Sequence, residues 1–490
     1  MQIVRPNVDR PLAARGPYDF VVVSNRLPVD RVTDDDGVQG WRRSPGGLVT
    51  ALAPVMEGHD GAWVGWHGAP GETLEPFDNQ NMHLVPVPLS EEEVELYYEG
   101  FANSTLWPLY HDVIAPPEFH RTWWDAYHQV NLRFGEAVAA VAAEGATVWV
   151  QDYQLQLVPQ YLRELRPDLV IGFFNHIPFP SPEIFAQMPW RQSILEGLLG
   201  ADLIGFQRPS DTANFLRCTR RFLGATVKAR HVNLETASGG ARRSSRAEPF
   251  PISIDVGRIQ ELAVRPDVIA RAKQIREDLG NPKTILLGVD RLDYTKGITH
   301  RLKAYGELLH DGSLKVEDAA LIQVASPSRE RVESYRLLRE EVDGMVGRIN
   351  GQFDTMQNTA IRYLHHSYPV EEMVALYLAA DVMLVTALRD GMNLVAKEYV
   401  ASRVDSTGAL VLSEFTGAAD QLKAALQVNP HDIDGLKETI VKAVNLSRSE
   451  SGRRMRSMRR QVLDHDVQRW SRDFLATLAQ SAAKGGAHLP

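Results

Sequence analysis

The sequence predicts an α/β protein made of two doubly wound, Rossmann-like halves. Three observations carry this. At 490 residues the chain is too long for one core. Short apolar runs alternate with helical stretches, the pattern of strands and crossover helices in a parallel sheet. The residues just past several of these runs are cations, acids and glycines, and ligands sit at the carboxyl ends of strands in such sheets.

In the first half, residues 1–250, a polar arm precedes the first buried strand, Phe20–Ser24, which ends in Asn25-Arg26. A polar loop with Asp34-Asp35-Asp36 then leads to Pro45-Gly46-Gly47 and a helical run over Leu48–Met56. Glycines let backbone N–H groups approach a ligand, and a helix start favours an anion. The three aspartates suggest a metal-dependent nucleotide-sugar site only superficially, and they read as a solvated turn. Strands follow at Ala62–His67 and His83–Pro88, then an aromatic patch from Tyr97-Tyr98 through Phe101 to Trp107, read first as core. A helix is expected over Phe119–Ala143. Three strand–loop units come next: Thr147–Val150 into Asp152, Val170–Phe174 into Asn175-His176, and Leu203–Phe206. Arg26, Asp152 and His176 thus fall on one sheet edge. The polar, basic 228–248 stretch reads as an exposed hairpin loop.

Pro249-Phe250-Pro251 reads as a hinge into the second half, residues 251–469, with strands at Thr284–Val289, Leu321–Val324, Ile361–Leu364, Val382–Leu388 and Ala409–Leu412. The first ends in Asp290-Arg291-Leu292-Asp293-Tyr294-Thr295-Lys296-Gly297. Arg291 and Lys296 either pair with Asp290 and Asp293 or neutralise a diphosphate. The second strand runs out into Arg329. The fourth leads into Arg389-Asp390-Gly391, and a helix resumes near Leu394, its first N–H groups suited to phosphate and Glu398 one turn on. His365-His366, adjacent on a strand, would point apart and make a poor metal pair. Trp470–Leu478 begins a last amphipathic helix, 470–490, expected to pack back on the first half.

Bulk properties narrow the function. A net charge of −9 disfavours a nucleic-acid binder, which needs a basic face. The single cysteine, Cys218, permits neither an internal disulfide nor a cysteine zinc site and fits a cytoplasmic compartment. No apolar run approaches the roughly 20 residues of a membrane span, and the N-terminus has no signal-peptide core. Neither a GxGxxG nor a GxxxxGK[ST] unit is present, which disfavours a dinucleotide oxidoreductase and a P-loop enzyme. What the strand ends describe is a cleft for a large phosphorylated ligand.

Val22-Val23-Ser24-Asn25-Arg26, Gly46-Gly47-Leu48, Asn175–Pro180, Arg291–Gly297 and Arg389–Glu398 together resemble the trehalose-6-phosphate synthases over roughly residues 18–480. The resemblance implies the GT-B arrangement, two facing Rossmann-like domains with a catalytic cleft between them. It implies retaining transfer of glucose from a nucleoside diphosphate glucose to glucose 6-phosphate, giving α,α-trehalose 6-phosphate without a metal or other cofactor. In matching positions, Arg26 and Arg329 grip the acceptor phosphate, Tyr98 and Asp152 hold the acceptor, and Trp107 lines its pocket. Gly46 and Gly47 approach the donor, and His176 contacts its glucose. Arg291 and Lys296 neutralise the departing diphosphate, and Asp390 holds glucose hydroxyls. Gly391, Met392 and Asn393 belong to the donor site, the helix start at Leu394-Val395 receives the phosphates, Glu398 holds the ribose, and Tyr368 lies against the base. Asp390, His176, Arg291 and Lys296 are the implied catalytic group. Retention in the family is held to use a front-face step, and a double displacement through a carboxylate such as Asp390 stays open. The implied partners are small molecules only, with neither nucleic acid nor membrane, in a homotetramer or dimer. Gln151 stands where the family often has histidine, and the loop from Val29 to Pro45, with Trp41, Arg42 and Arg43, looks long; UDP-, ADP- and GDP-glucose all stay open as donors. The alternatives are another GT-B transferase, glycogen-synthase-like or glucosylglycerol-phosphate-forming, and a sugar-phosphate-binding regulator without turnover. Arg26 with Arg329 disfavours a glucan acceptor, and intact Arg291, Lys296, Asp390 and Glu398 disfavour the regulator.

Overall fold

The computed structural model describes residues 16–33, 39–44, 61–79, 82–234 and 243–485, with Val49, Leu52, Val55 and Met56. Gly46, Gly47 and Asp34-Asp35-Asp36 lie outside the described residues. The chain divides into two compact units, one running to Pro251 and resuming at Gln468, the other Ile252–Val467.

The first unit contains β1 (Tyr18–Arg26), β2 (Val29–Thr33), β3 (Gln39–Arg43), β4 (Gly61–Trp66), β5 (Phe77–Asn79), β6 (Met82–Pro86), β7 (Ala142–Gln151), β8 (Val170–Phe174), β9 (Leu203–Phe206), β10 (Thr226–Lys228), β11 (His231–Leu234) and β12 (Arg243–Pro249). All but β2 and β3 form one sheet in the order β10-β11-β12-β9-β8-β7-β1-β4-β6-β5. Its parallel members β1, β4, β6, β7, β8, β9 and β12, ranked along the chain, stand in the order 3-2-1-4-5-6-7. The order reverses between β1 and β7, and such a switch point leaves a crevice at the strands' carboxyl ends. Val21, Val22, Val23, Trp63 and Trp149 are fully buried, as expected of strands covered on both faces. The helix Val467–Gly485 supplies part of that cover, with Phe474 stacked on Trp149 at 4.5 Å between ring centroids and Trp470 at 5.0 Å.

Three segments of the first unit differ from what the sequence predicts. The 228–248 stretch, expected as an exposed hairpin loop, supplies β11 and β12 to the main sheet, with Val232, Ser245 and Ala247 buried. The Val29–Pro45 stretch contains an antiparallel hairpin, β2 on β3, pinned by Arg31 over the Trp41 ring at 5.3 Å. Charged residues on both strands hide the alternation that normally marks a hairpin. The aromatic patch lies on a helix wound wider than α from Val94 to Leu106, closed by Trp107 N–H donating to Ala102 O. Such i→i+5 winding rarely exceeds one turn. Tyr97 and Phe101 are core.

The second unit contains β13 (Thr284–Arg291), β14 (Ala319–Ser326), β15 (Ile361–Leu364), β16 (Val382–Val385), β17 (Ala409–Ser413) and β18 (Leu426–Val428), in the order β15-β14-β13-β16-β17-β18. Every pairing is parallel. Ranked along the chain the order is again 3-2-1-4-5-6, with the switch between β13 and β16. The helix Ile298–His310 lays Ile298, Leu302, Tyr305 and Leu309 against Leu286 and Leu321. Each such buried side chain contributes about 1.5–3 kcal/mol. β16 stops at Val385 rather than at Leu388, because Leu388 N–H leaves the sheet and donates to Thr295 O at 2.7 Å. His365 and His366 fall just past β15 rather than on it. Among the described residues no helix is long and apolar enough to cross a membrane.

Candidate active site

In the second unit the chemistry collects at the switch point. β13 ends in Asp290 and Arg291, and the following turn carries Asp293 and Lys296. Gly297 has φ +61, and a Cβ there would come 2.1 Å from Thr386 O. Only glycine lets this turn lie so tightly on the exit of β16. The result brings Lys296 Nζ to 2.6 Å from Asp390 Oδ2, with both side chains largely buried. Asn393 Nδ2 donates to the same oxygen at 3.1 Å. Asn393 itself has φ +83 and caps the helix Leu394–Ser402, its Oδ1 accepting from Ala396 N–H at 3.0 Å. That cap leaves the Leu394 and Val395 N–H groups at the helix start, where an anion is favoured. Gly391 and Met392 are buried in the turn between.

Of the two candidate cations beside β13, Arg291 lies by Asp293, one of the partners expected, whereas Lys296 takes a different one. Lys296 pairs with Asp390, while Asp290 is held by buried Arg301 at 2.8 Å. Arg291 is half-exposed, 3.9 Å from Asp293. Arg329 is turned inward: its side chain is 4% exposed, and its guanidinium pairs with Asp293 at 3.0 Å and bonds the Tyr335 hydroxyl. Burial opposes ionisation of Asp293, but Arg329, Arg291, Lys296 and the Thr295 N–H outweigh it and hold the carboxyl well below the usual range. Arg329 therefore anchors an internal network as well as lying past β14. Glu398 is half-buried and accepts from the Tyr377 hydroxyl at 2.8 Å. Burial pushes its carboxyl up, against the pull of that hydrogen bond. Tyr368 is half-buried beyond β15, its ring 4.2 Å from that of His366.

In the first unit, Arg26 closes β1 at the other switch point, exposed, 5.1 Å over the Trp66 ring and 3.6 Å from Asp30. Asp152 follows β7 with φ +73 and ψ 170, a strained backbone for any residue but glycine. Its Oδ1 accepts the His176 N–H at 3.0 Å, joining the ends of β7 and β8. His176 Nε2 lies 2.9 Å from Gln151 Oε1, and burial lowers the imidazole to about 3, so it is neutral at physiological pH. Gln151 thus supplies the ring of His176 with a hydrogen-bond partner. Tyr98 is half-buried, while Trp107 is buried, its ring 5.6 Å from that of Tyr153, beside Asp152. Trp107 therefore sits in the core beneath the Asp152 turn rather than on an open wall.

The sequence reading missed Arg301, Tyr377, Asn393's capping role, Lys397 and His67. Arg301 carried a signal: it lies on the apolar stripe Ile298, Leu302, Tyr305, where a cation needs a buried partner. Asn393 carried one too, an asparagine standing just before the helix it caps, whereas Tyr377 and Lys397 depend on contacts across longer stretches of chain. Among the described residues no group of three or more His, Cys, Asp or Glu gathers as a metal site would need.

The sequence pattern of glycosyltransferase family 20 matches residues 18–480. A trehalose-6-phosphate synthase of Mycolicibacterium vanbaalenii is 57% identical over 478 residues, covering 96% of this chain and 97% of that one. A solved structure from E. coli, bound with UDP-2-fluoro glucose, superposes with a TM-score of 0.84 at 33% identity, covering 94% of this chain and 99% of that one. An α,α-trehalose-phosphate synthase (UDP-forming) of Burkholderia xenovorans, in complex with glucose-6-phosphate, gives a TM-score of 0.85 at 32% identity, with coverage of 94% and 99%. The fold is accordingly GT-B, and the chain belongs to glycosyltransferase family 20.

Proposed function

We propose that this chain makes α,α-trehalose 6-phosphate, transferring glucose with retention from a nucleoside diphosphate glucose to glucose 6-phosphate. The Lys296–Asp390 pair at the second switch point carries the reading, since it sets a cation and a hydroxyl acceptor beside a helix start. Charge develops on the diphosphate as it leaves, so a cation already in place stabilises the transition state more than the ground state. In this reading Lys296 and Arg291 take that charge, and the Leu394 and Val395 N–H groups bind the phosphates. Asp390 orients the donor glucose and Glu398 the ribose, with Tyr368 against the base. Asp390 Oδ2 is already engaged by an ammonium and an amide, which blunts it as a nucleophile and favours the front-face route. Arg26, Tyr98 and Asp152 hold the acceptor, with Trp107 supporting them and Arg329 contributing to the phosphate. Neutral His176 is suited to hydrogen bonding with a sugar hydroxyl rather than to charge neutralisation.

The names of the relatives support the same substrates. We further propose that the reaction needs no metal and that the protein is a cytoplasmic homo-oligomer, tetramer or dimer, to be checked by chelator treatment, fractionation and light scattering. The decisive assay mixes the protein with glucose 6-phosphate and, separately, UDP-, ADP- and GDP-glucose, and follows nucleoside diphosphate release. Silence with every donor overturns the proposal.

A further inference from the structure

His67 follows directly on β4, beside β1 with Arg26 at its tip. Its side chain is 1% exposed, and neither ring nitrogen has a hydrogen-bond partner in the protein. A buried polar group in that condition needs an explanation. Its charged surroundings are Arg26 from β1, Arg31 from β2 and Glu72 from the loop beyond it. Glu72 Oε2 lies 4.0 Å from His67 Nε2, too long for a hydrogen bond but close enough for an ion pair. The same oxygen is bound by Arg31 at 2.7 Å, so the carboxylate is already shared. Arg26 is packed onto the adjoining glycine: Gly68 has φ +102, and a Cβ there would fall 2.2 Å from the guanidinium. Position 67 therefore adjoins both surfaces on which Arg26 rests, the Trp66 ring and Gly68.

Resting on the reading that Arg26 holds the acceptor phosphate, we propose that His67 is the proton-linked partner of that phosphate, neutral in the free protein and taking one proton from solvent as the phosphate dianion binds. Without ligand, burial and the charges of Arg31 and Arg26 hold the imidazole below its ordinary value, against the smaller pull of Glu72. A dianion placed against Arg26 reverses the sign of that local field and favours imidazolium. His67 would then discriminate in favour of a phosphorylated acceptor, acting by charge rather than by shape.

The test is calorimetric titration of the full chain with glucose 6-phosphate at pH 7.5, in two buffers of different ionisation heat. A sugar phosphate ionises with a second pKa of about 6, so at this pH the ligand brings no proton, and cations around it promote release rather than uptake. Glu72 is already ionised, its carboxyl lowered by the hydrogen bonds from Arg31. Net uptake therefore points to His67. Uptake should disappear in His67→Gln and His67→Asn, with KM for glucose 6-phosphate raised roughly tenfold, the equivalent of one pKa unit, and the change carried by KM more than kcat. Zero uptake by the wild-type chain overturns the proposal whether or not the variants fold, and so does equal uptake in a folded variant. If the wild-type chain binds no glucose 6-phosphate in either buffer, the acceptor reading itself fails.

Discussion

Lys296 and Asp390, 94 residues apart in the chain, meet at 2.6 Å where the sheet order of the second unit reverses. Removing one charge strands the other in a largely buried site. Asp390→Asn and Lys296→Met should each lower kcat by roughly 10²–10³, the range seen for preorganised charge-stabilising groups. The double variant should fall well short of the product of the two losses. Initial rates of nucleoside diphosphate release measure this, and full additivity would count against the pair acting as a unit.

Arg329→Ala should do more than weaken acceptor use. The guanidinium also neutralises Asp293, and its loss leaves a buried carboxylate supported only by Thr295, Tyr335 and more distant cations. Losses of about 3–5 kcal/mol attend such broken pairs. The melting temperature should drop in Arg329→Ala and recover in Arg329→Ala/Asp293→Asn, whereas KM for glucose 6-phosphate should stay high in both. An unchanged melting temperature in the single variant refutes the anchoring role.

Asp152 separates backbone strain from side-chain function. Its φ of +73 is one glycine adopts freely. Asp152→Gly and Asp152→Ala both lose the bond to the His176 N–H, yet the glycine variant should be more stable by about 1 kcal/mol, strain relief exceeding glycine's entropy cost. Chemical denaturation of the two variants decides it. Both should be poor with glucose 6-phosphate.

Lys397 links stability to pH. Its ammonium is buried, Nζ donates to Ile252 O at 2.6 Å, and burial lowers the group from 10.5 to about 7. Between those two values the unfolded chain binds a proton that the folded chain lacks. Stability should therefore rise with pH across that window, by about 1.4 kcal/mol per unit from this group alone. The penalty is complete below pH 7. Lys397→Met should flatten the slope in denaturant titrations at pH 7 and 9, and an unchanged slope would exclude the lysine as its source.

Tyr377→Phe removes the hydrogen bond that opposes the burial of Glu398. Glu398 should then ionise at still higher pH. Donor affinity that depends on the carboxylate should fall by about 1 kcal/mol, and its acid limb should move to higher pH. Binding of the nucleotide sugar across pH 5–8 measures both effects.

Much of the fold was legible because buried parallel strands must be apolar on both faces: Phe20–Ser24, Val170–Phe174, Leu203–Phe206 and Thr284–Val289 could hardly be anything else. The candidate site was legible where residues stand at or just past strand ends, as with Arg26, Asp152 and Arg291. It was obscure where partners arrive from elsewhere in the chain. Nothing local announces that Arg329 turns in to Asp293, that Lys296 prefers Asp390 over its neighbours, or that Tyr377 meets Glu398. The hairpin of β2 and β3 escaped because both strands are charged, and the wide helix because no residue type marks that winding. Trp107 shows the converse: an aromatic on a motif is as readily a floor as a wall.

The backbone enters the second unit at Ile252 and leaves it at Val467, and the Val467 N–H bonds the Ile254 carbonyl at 3.1 Å. Entrance and exit are thus neighbours, and the unit is in effect a cassette let into the first, its donor-side groups encoded in one uninterrupted stretch. Nucleotide preference should therefore be transplantable. Exchanging residues 252–467 between relatives that favour different bases ought to carry the preference along, without redesign at the seams.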